Sequence, residues 1–496
     1  MPDFSAYVPP GVYVEDVSTP LTTVQGTIPQ VVTLVGPGQG YLQATTTAVL
    51  TSADTDATPA PVVLPHALAY VTGDNAPVVT NVNGDPLVAG TDYEATVDSD
   101  GLLNLLRLAA STNYPSSDYT VTVTYRWTDP GYYTAQLFTD YDAVVAYFGQ
   151  PLYQPSPGTA SSDYPADQIV SPLAFAAKIA FENGANQVLC VGTPSGSAED
   201  IRDGYGQIDT DLRVSVVVPL PTDVDSLASG QQYGTDLKNH CVNANNDGLP
   251  RVGVLGMSAA FTETGGYSNF ATLATGLNSP RVIVAYPESL LYYNGYTNQT
   301  LVVPGYYLAA AYAGRLESVS PNKPLTKEVI ASFAGLPATV LQALTRAVKD
   351  ELATAGVALV EQDRFNRIVV RHGVTSAYNG GLYQREISLI RQRDALFSVV
   401  QSGLDASGII GQPITLETPL SVKSVVAGLL NSAEQQEVIL TWNDLLVRVQ
   451  SGDPSVVEVK FSYKPAVPLN YVTVSFSLDV STGDFTSTDL TTTTAA

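Results

Sequence analysis

His240-Cys241, with Asp236 one helical turn earlier, is the chain's nearest approach to a nucleophile, a base and an acid. Such a group works only if thiol and imidazole come within hydrogen-bond reach. Adjacent residues on a helix point about 100° apart, so these two cannot easily meet. A structural role is expected. A second candidate, Gly36-Pro37-Gly38-Gln39-Gly40, loosely resembles a dinucleotide-binding turn. Its third spacing is wrong and no helix pattern follows it, so turn chemistry is expected instead. No lysine follows a glycine, which excludes a Walker-type phosphate loop. The three histidines, His66, His240 and His372, lie far apart, and neither HExxH nor CxxC occurs. No cofactor, metal site or catalytic activity is therefore expected.

The whole chain sets wider limits. Its 496 residues exceed one hydrophobic core and predict several domains. With 45% apolar and 14% charged residues it has the balance of a well-folded protein, not of a disordered one. No basic segment leads into an apolar run at the N-terminus, so no secretory signal is expected. No apolar run approaches the roughly 20 residues needed to span a bilayer, which predicts a soluble protein without membrane insertion. Cys190 and Cys241 cannot make a disulfide framework and are expected to be small core residues formed in a reducing compartment. The net charge of −24 argues against nucleic acid. Residues 1–340 carry 11 cations against 31 anions, a net of −20, whereas residues 341–496 carry 12 against 16, a net of −4. The last third is thus expected to meet a partner that the acidic remainder would repel.

Residues 1–20, an N-terminal arm, combine several prolines with one short alternating run, Val12–Val17, a strand with no local partner. Gln30–Gly36 predicts a buried strand within 21–40, and Leu42–Pro61 a linker. From about Ala69 to Trp127, turn signals and the alternation of Tyr119–Trp127 predict a β module inside an inserted 41–130 domain. Residues 131–356 alternate helix and strand patterns, which predicts a largely parallel sheet covered on both faces. Its expected helices include Phe138–Phe148, one from Pro172 to Gly184 and one over Pro337–Ala355. An inner α+β domain, 357–480, is expected to hold the strand Arg367–Arg371 and helices at Tyr383–Gln401, Leu420–Asn431 and Ala433–Val449. Alternating strands at Val457–Tyr463 and Tyr471–Val480 close it, and residues 481–496 show no core-forming pattern and are expected to be disordered. The expected fold class is α+β multidomain, an α/β core with extended arm strands at both ends.

Several of these stretches together resemble the contractile phage tail sheath family. The opening PPGVYVEDV (Pro9–Val17) is similar to that family's N-terminal arm, and Thr22–Gly40 to its first core strand and turn. Thr139–Gly149, Leu173–Val191, Arg367–Ala377 and Val456–Asp479 resemble, in order, its next helix, a helix–strand unit, the inner domain and the C-terminal arm. Residues 41–130 have no place in the minimal family core, and Val284–Glu317 departs from its pattern.

The resemblance implies a structural subunit of a virion, assembled in the host cytoplasm, whose arms each add a strand to a neighbour's inner-domain sheet. Implied partners are copies of itself, a tail tube protein, and baseplate and tail terminator proteins. The expected arm residues are Val12, Tyr13, Val14 and Val17 at one end and Val472, Val474, Phe476 and Leu478 at the other. Arg385 and Arg391, read as lying off the apolar face of their helix, are the expected tube contacts. A competing expectation is a virion appendage or adhesin whose 41–130 domain binds a surface ligand, its 28 tyrosines suiting such a surface. An α/β enzyme is a third.

Overall fold

The computed structural model describes residues 28, 30–39, 42–50, 61–67, 77–99, 102–107, 119–129, 131–470, 472–474, 476–478 and 485–487. Long β-branched runs dictate its centre. Eight strands form one sheet in the order Ile368–Val370, Val357–Gln362, Val282–Tyr286, Val252–Leu255, Val214–Pro219, Val31–Gly36, Val188–Gly192, Gln136–Phe138. The six inner strands are parallel and the two edge strands antiparallel to their neighbours. Every residue of Val31–Gly36, Val188–Gly192 and Val282–Tyr286 is buried. Helices cover both faces, which is why these strands read as unbroken apolar runs and not as alternations.

Ser171 caps Pro172–Glu182, with proline at the helix start. That helix packs against Tyr306–Ser318, a helix buried almost all round. Gly314 permits the approach, since a Cβ there would lie 2.3 Å from the carbonyl oxygen of Ala180. Elsewhere Leu227–Asn246 packs on both Ala198–Gly206 and Ser268–Leu277.

Two expectations about the 41–130 stretch meet different outcomes. The linker expected at Leu42–Pro61 is corrected: Leu42–Leu50 is a strand paired along its length with Tyr119–Trp127. Its threonines are β-formers, and Ala48 and Leu50 are buried while Thr45, Thr47 and Val49 are exposed. With Val78–Thr80 these strands make one three-stranded sheet, and Val62–Ala67, Leu102–Arg107 and Tyr93–Val97 make another. The two sheets share one apolar cluster that includes Leu50, Leu64, Leu105, Val121, Val123 and Tyr125.

Further corrections fall in the last third. Pro337–Ala355 is two helices, Ala338–Ala343 and Arg346–Thr354, because Leu344 leaves helical backbone and Thr345 caps the second. Glu386 likewise is extended, so the Tyr383–Gln401 helix divides into Leu382–Arg385 and Ile387–Ala406. The helix expected at Ala433–Val449 is wrong. Thr418–Gln435 is helical, and Ile439–Val449 is a strand paired with Val457–Pro465. The strand expected over Tyr471–Val480 is interrupted: among the described residues 472–474 have no regular structure, and Phe476–Leu478 pairs with Phe485–Ser487. That pairing also corrects the unstructured reading of 481–496 at those three residues. Among the described residues no helix is long and apolar enough to cross a membrane.

Candidate assembly interface

The chemistry-bearing residues come first. His240 is buried, stacked on Tyr205 with ring centroids 4.8 Å apart, and its Nε2 lies 3.3 Å from Nη1 of Arg251. A guanidinium only donates, so Nε2 accepts and Nδ1 carries the proton towards Asp209, 3.1 Å away. Burial, then the Arg251 charge, pushes the imidazole down to about 4. Burial pushes the neighbouring Cys241 thiol up to about 12, and Asp236 turns instead to Gln232. His240 and Cys241 are packed, neutral parts of the core, and Asp236 is not their partner.

Parallel sheets take ligands outside the carboxyl ends of their strands, where the strand order reverses. Here that crevice is filled from within. Gly36 lies against Leu220, where a Cβ would sit 2.6 Å from the leucine Cβ. Gly38 N donates to the Tyr132 hydroxyl at 2.7 Å, and Tyr233 donates to the Gly196 carbonyl at 2.6 Å.

The open feature is the hairpin Ile439–Val449/Val457–Pro465. Trp442, Leu445, Val447, Val457, Val459 and Phe461 pack around Val422, Val426 and Leu430 of helix Thr418–Gln435. A bulge between Asn443 and Leu446 shifts the register, with Asp444 at φ 59° accepting from Ser462 at 2.9 Å. A second register shift lies between Ile439 and Thr441, and Leu440 and Leu446 are 53% and 49% exposed. Arg448 and Lys460 both bond Glu458 and hold its carboxyl below the usual range. This sheet has two strands, so among the described residues neither outer edge is paired. Long open edges invite another strand.

No family model matches the chain. Among curated proteins, the tail sheath protein of Mycobacterium phage Bxz1 is 30% identical over 423 residues, covering 84% of this chain and 67% of that protein. The chain belongs to the tail sheath protein family. A second relative, the tail sheath protein of Bacillus phage SP01, is 28% identical over 218 residues, 44% of this chain and 37% of that protein. Among solved structures, a chain of the six-fold symmetrised cryo-EM structure of the anti-feeding prophage baseplate matches with TM-score 0.52 and 13% identity. It covers 96% of this chain and 100% of that one. A chain of the same baseplate in its contracted state gives TM-score 0.53 and 14% identity over 70% of this chain and 90% of that one. These structures share the fold: a large, mostly parallel sheet accompanied by small antiparallel ones. As a sheath protein, the chain is a structural component of a phage tail.

The predicted sheath residues divide into three groups. Val12, Tyr13, Val14 and Val17 lie outside the described residues. Val472 and Val474 are 73% and 76% exposed in backbone of no regular form, and Phe476 and Leu478 lie in the short paired strand. Arg385 is half-buried at the end of its short helix. Arg391 is the correction: it is buried, 3.7 Å from Glu317, with Nη2 donating to the Val319 carbonyl at 3.3 Å. It faces into the chain, not off the apolar face of its helix. Burial keeps Glu317 above the usual carboxylate range despite that guanidinium. Residues missed by sequence reasoning include Arg281, which bonds Asp394 and Asn245, and Gln392 and Asn470. Their partners are remote in sequence, and residue types alone do not mark them.

Proposed function

We propose that the chain is the repeating subunit of a contractile sheath, polymerising helically around a tail tube and contracting to drive that tube through the host cell envelope for genome ejection. The observation that carries this reading is the hairpin whose two outer edges are unpaired among the described residues, set beside Ile28, which precedes the first core strand, and Ala466, which follows the hairpin's last strand. Ile28 packs on the clusters formed by helices Ile387–Ala406 and Thr418–Gln435, and Ala466 is held by the first of these. An arm from each of two neighbours would complete a four-stranded sheet. A strand of about six residues adds roughly four to six hydrogen bonds, each worth about 1 kcal/mol net. Such links persist while subunits rotate, so the work of contraction comes from differences in contact between two assembled states. Baseplate and terminator proteins would cap the polymer ends, and no nucleotide drives it.

Arg385 is retained as the tube contact, and Arg391 is not. Negative-stain electron microscopy of the purified protein tests the main reading, with long hollow helical cylinders expected. Discrete trimers would favour an appendage and sink it. Removal of residues 1–20 is expected to abolish cylinders while leaving the folded subunit intact. Arg385→Glu is expected to weaken assembly on the tube and spare tube-free polymers, and equal loss of both would remove Arg385 from the contact.

A further inference from the structure

We infer that helix Ile387–Ala406 is the common mount of both arms, and that Gln392 is the anchor fixing where the C-terminal arm leaves. Gln392 is fully buried. Its Oε1 accepts from the Ala466 amide at 2.9 Å, and its Nε2 donates to the Ala466 carbonyl at 3.0 Å and to Ser388 O at 3.2 Å. One side-chain amide thus gives Ala466 both bonds that a neighbouring strand would give it, just where strand Val457–Pro465 ends. The donor and acceptor pattern of Ala466 admits only this orientation of the amide. Four residues on, Asn470 adds a second tie through side chains. Its Nδ2 donates to Oε1 of buried Glu386 at 2.7 Å, and its Oδ1 accepts from Thr326 at 3.1 Å.

The N-terminal side reaches the same helix. Ile28 packs on the clusters holding Ala395 and Leu396, and Val399 and Val400. Measured from Gln392 these stand at steps of three, four, seven and eight, which is one face of a helix. At 1.5 Å per residue, steps of three to eight put the two attachment levels roughly 5–12 Å apart along one rigid rod. That rod is tied to the large sheet through Asp394 and Arg281. The separation of the two arm roots is therefore set within one subunit, and changes of geometry between subunits fall to the chain beyond Asn470, where Val472 and Val474 stand exposed. The inference deepens the sheath reading, but the anchor itself is a property of the single subunit.

The test uses the full, unassembled chain. In the wild type, hydrogen exchange at the Ala466 amide is expected to run roughly a hundredfold slower than in unstructured peptide. Exchange at the unstructured rate overturns the anchor. Gln392→Met keeps the volume and removes both bonds. Chymotryptic cleavage at Leu469–Leu478, followed by mass spectrometry, is expected to accelerate roughly tenfold with the melting temperature nearly unchanged. An unchanged cleavage rate overturns the inference. If the variant unfolds, the wild-type exchange rate decides alone. Failure of the wild type to form cylinders would reject the sheath reading and leave both anchor measurements valid.

Discussion

The eight-stranded sheet and the Ile439–Pro465 hairpin are built from similar residues but end differently. In the large sheet the inner strands have partners on both sides and helices on both faces, and its two edges are short, three-residue strands. The hairpin has strands of 11 and 9 residues, a helix on one face only, and no third strand among the described residues. One sheet satisfies its backbone within the chain. The other leaves a row of donors and acceptors on each side, which costs little in water and becomes binding energy when a strand arrives. If the proposed function holds, the subunit is finished in its core and takes its missing strands at the hairpin.

The contrast predicts that core substitutions act on folding and hairpin substitutions on assembly. Phe175 is fully buried, with Tyr307 and Tyr292 edge-on at 4.6 and 4.8 Å. Phe175→Ala is expected to cost about 3–5 kcal/mol in a denaturant titration of the isolated subunit. A loss below about 1 kcal/mol would mean that the helix layer is not rigidly packed there.

A smaller effect should follow acidification. The His240 imidazole, held neutral by burial and by Arg251, resists protonation in the folded chain to about pH 4, whereas the unfolded chain takes up its proton near 6.5. The unfolded state binds more protons between these values, so stability falls as pH drops through that window, by on the order of 2–3 kcal/mol. His240→Gln should flatten this part of the profile. A wild-type curve flat from pH 6.5 to 4 would contradict the buried neutral ring.

Sequence reasoning reached the large sheet because burial on both faces leaves an unbroken apolar record. It failed where two periodicities compete. The bulge at Asn443–Leu446 sets Leu445 and Leu446 side by side, which imitates a helix and hid a strand in Ile439–Val449. In Leu42–Leu50 the outward threonines masked an alternation that is plain once Ala48 and Leu50 are known to face the core. Arg391 was misplaced for another reason. Its partner Glu317 is remote in sequence, and a helical wheel cannot show that a neighbouring element supplies a buried counter-charge. The expected arms rest on alternating runs of residues, a kind of signal that the bonds holding Ala466 do not leave. Gln392 acts on the backbone of Ala466, and backbone acceptors leave no trace in residue types.

The Glu361 cluster offers a weaker test in the core region. Burial would raise this carboxyl, but bonds from Lys327 and Lys349 outweigh it and hold it below the usual range. The folded-state value is depressed, so its contribution is present above about pH 4.3 and disappears as pH falls through that lowered value. Glu361→Gln should cost about 1 kcal/mol at neutral pH and less as the solution is acidified towards pH 2. A cost that stays constant across that range would assign the effect to packing.

The smallest effect on the folded subunit should come from the hairpin itself. Leu440 and Leu446 already stand about half in water, so Leu440→Ser with Leu446→Ser should alter stability by no more than about 0.5 kcal/mol. In a polymer the same side chains would be covered, and full burial of one leucine is worth about 1.5–3 kcal/mol. Repeated in every copy, that loss should raise the protein concentration at which cylinders first form, while thermal melts of the dilute subunit overlay those of the wild type. Cylinders forming at the wild-type threshold would show that this outer face stays wet. The open edges alone would then carry the contact, which separates strand addition from face packing as the source of cohesion.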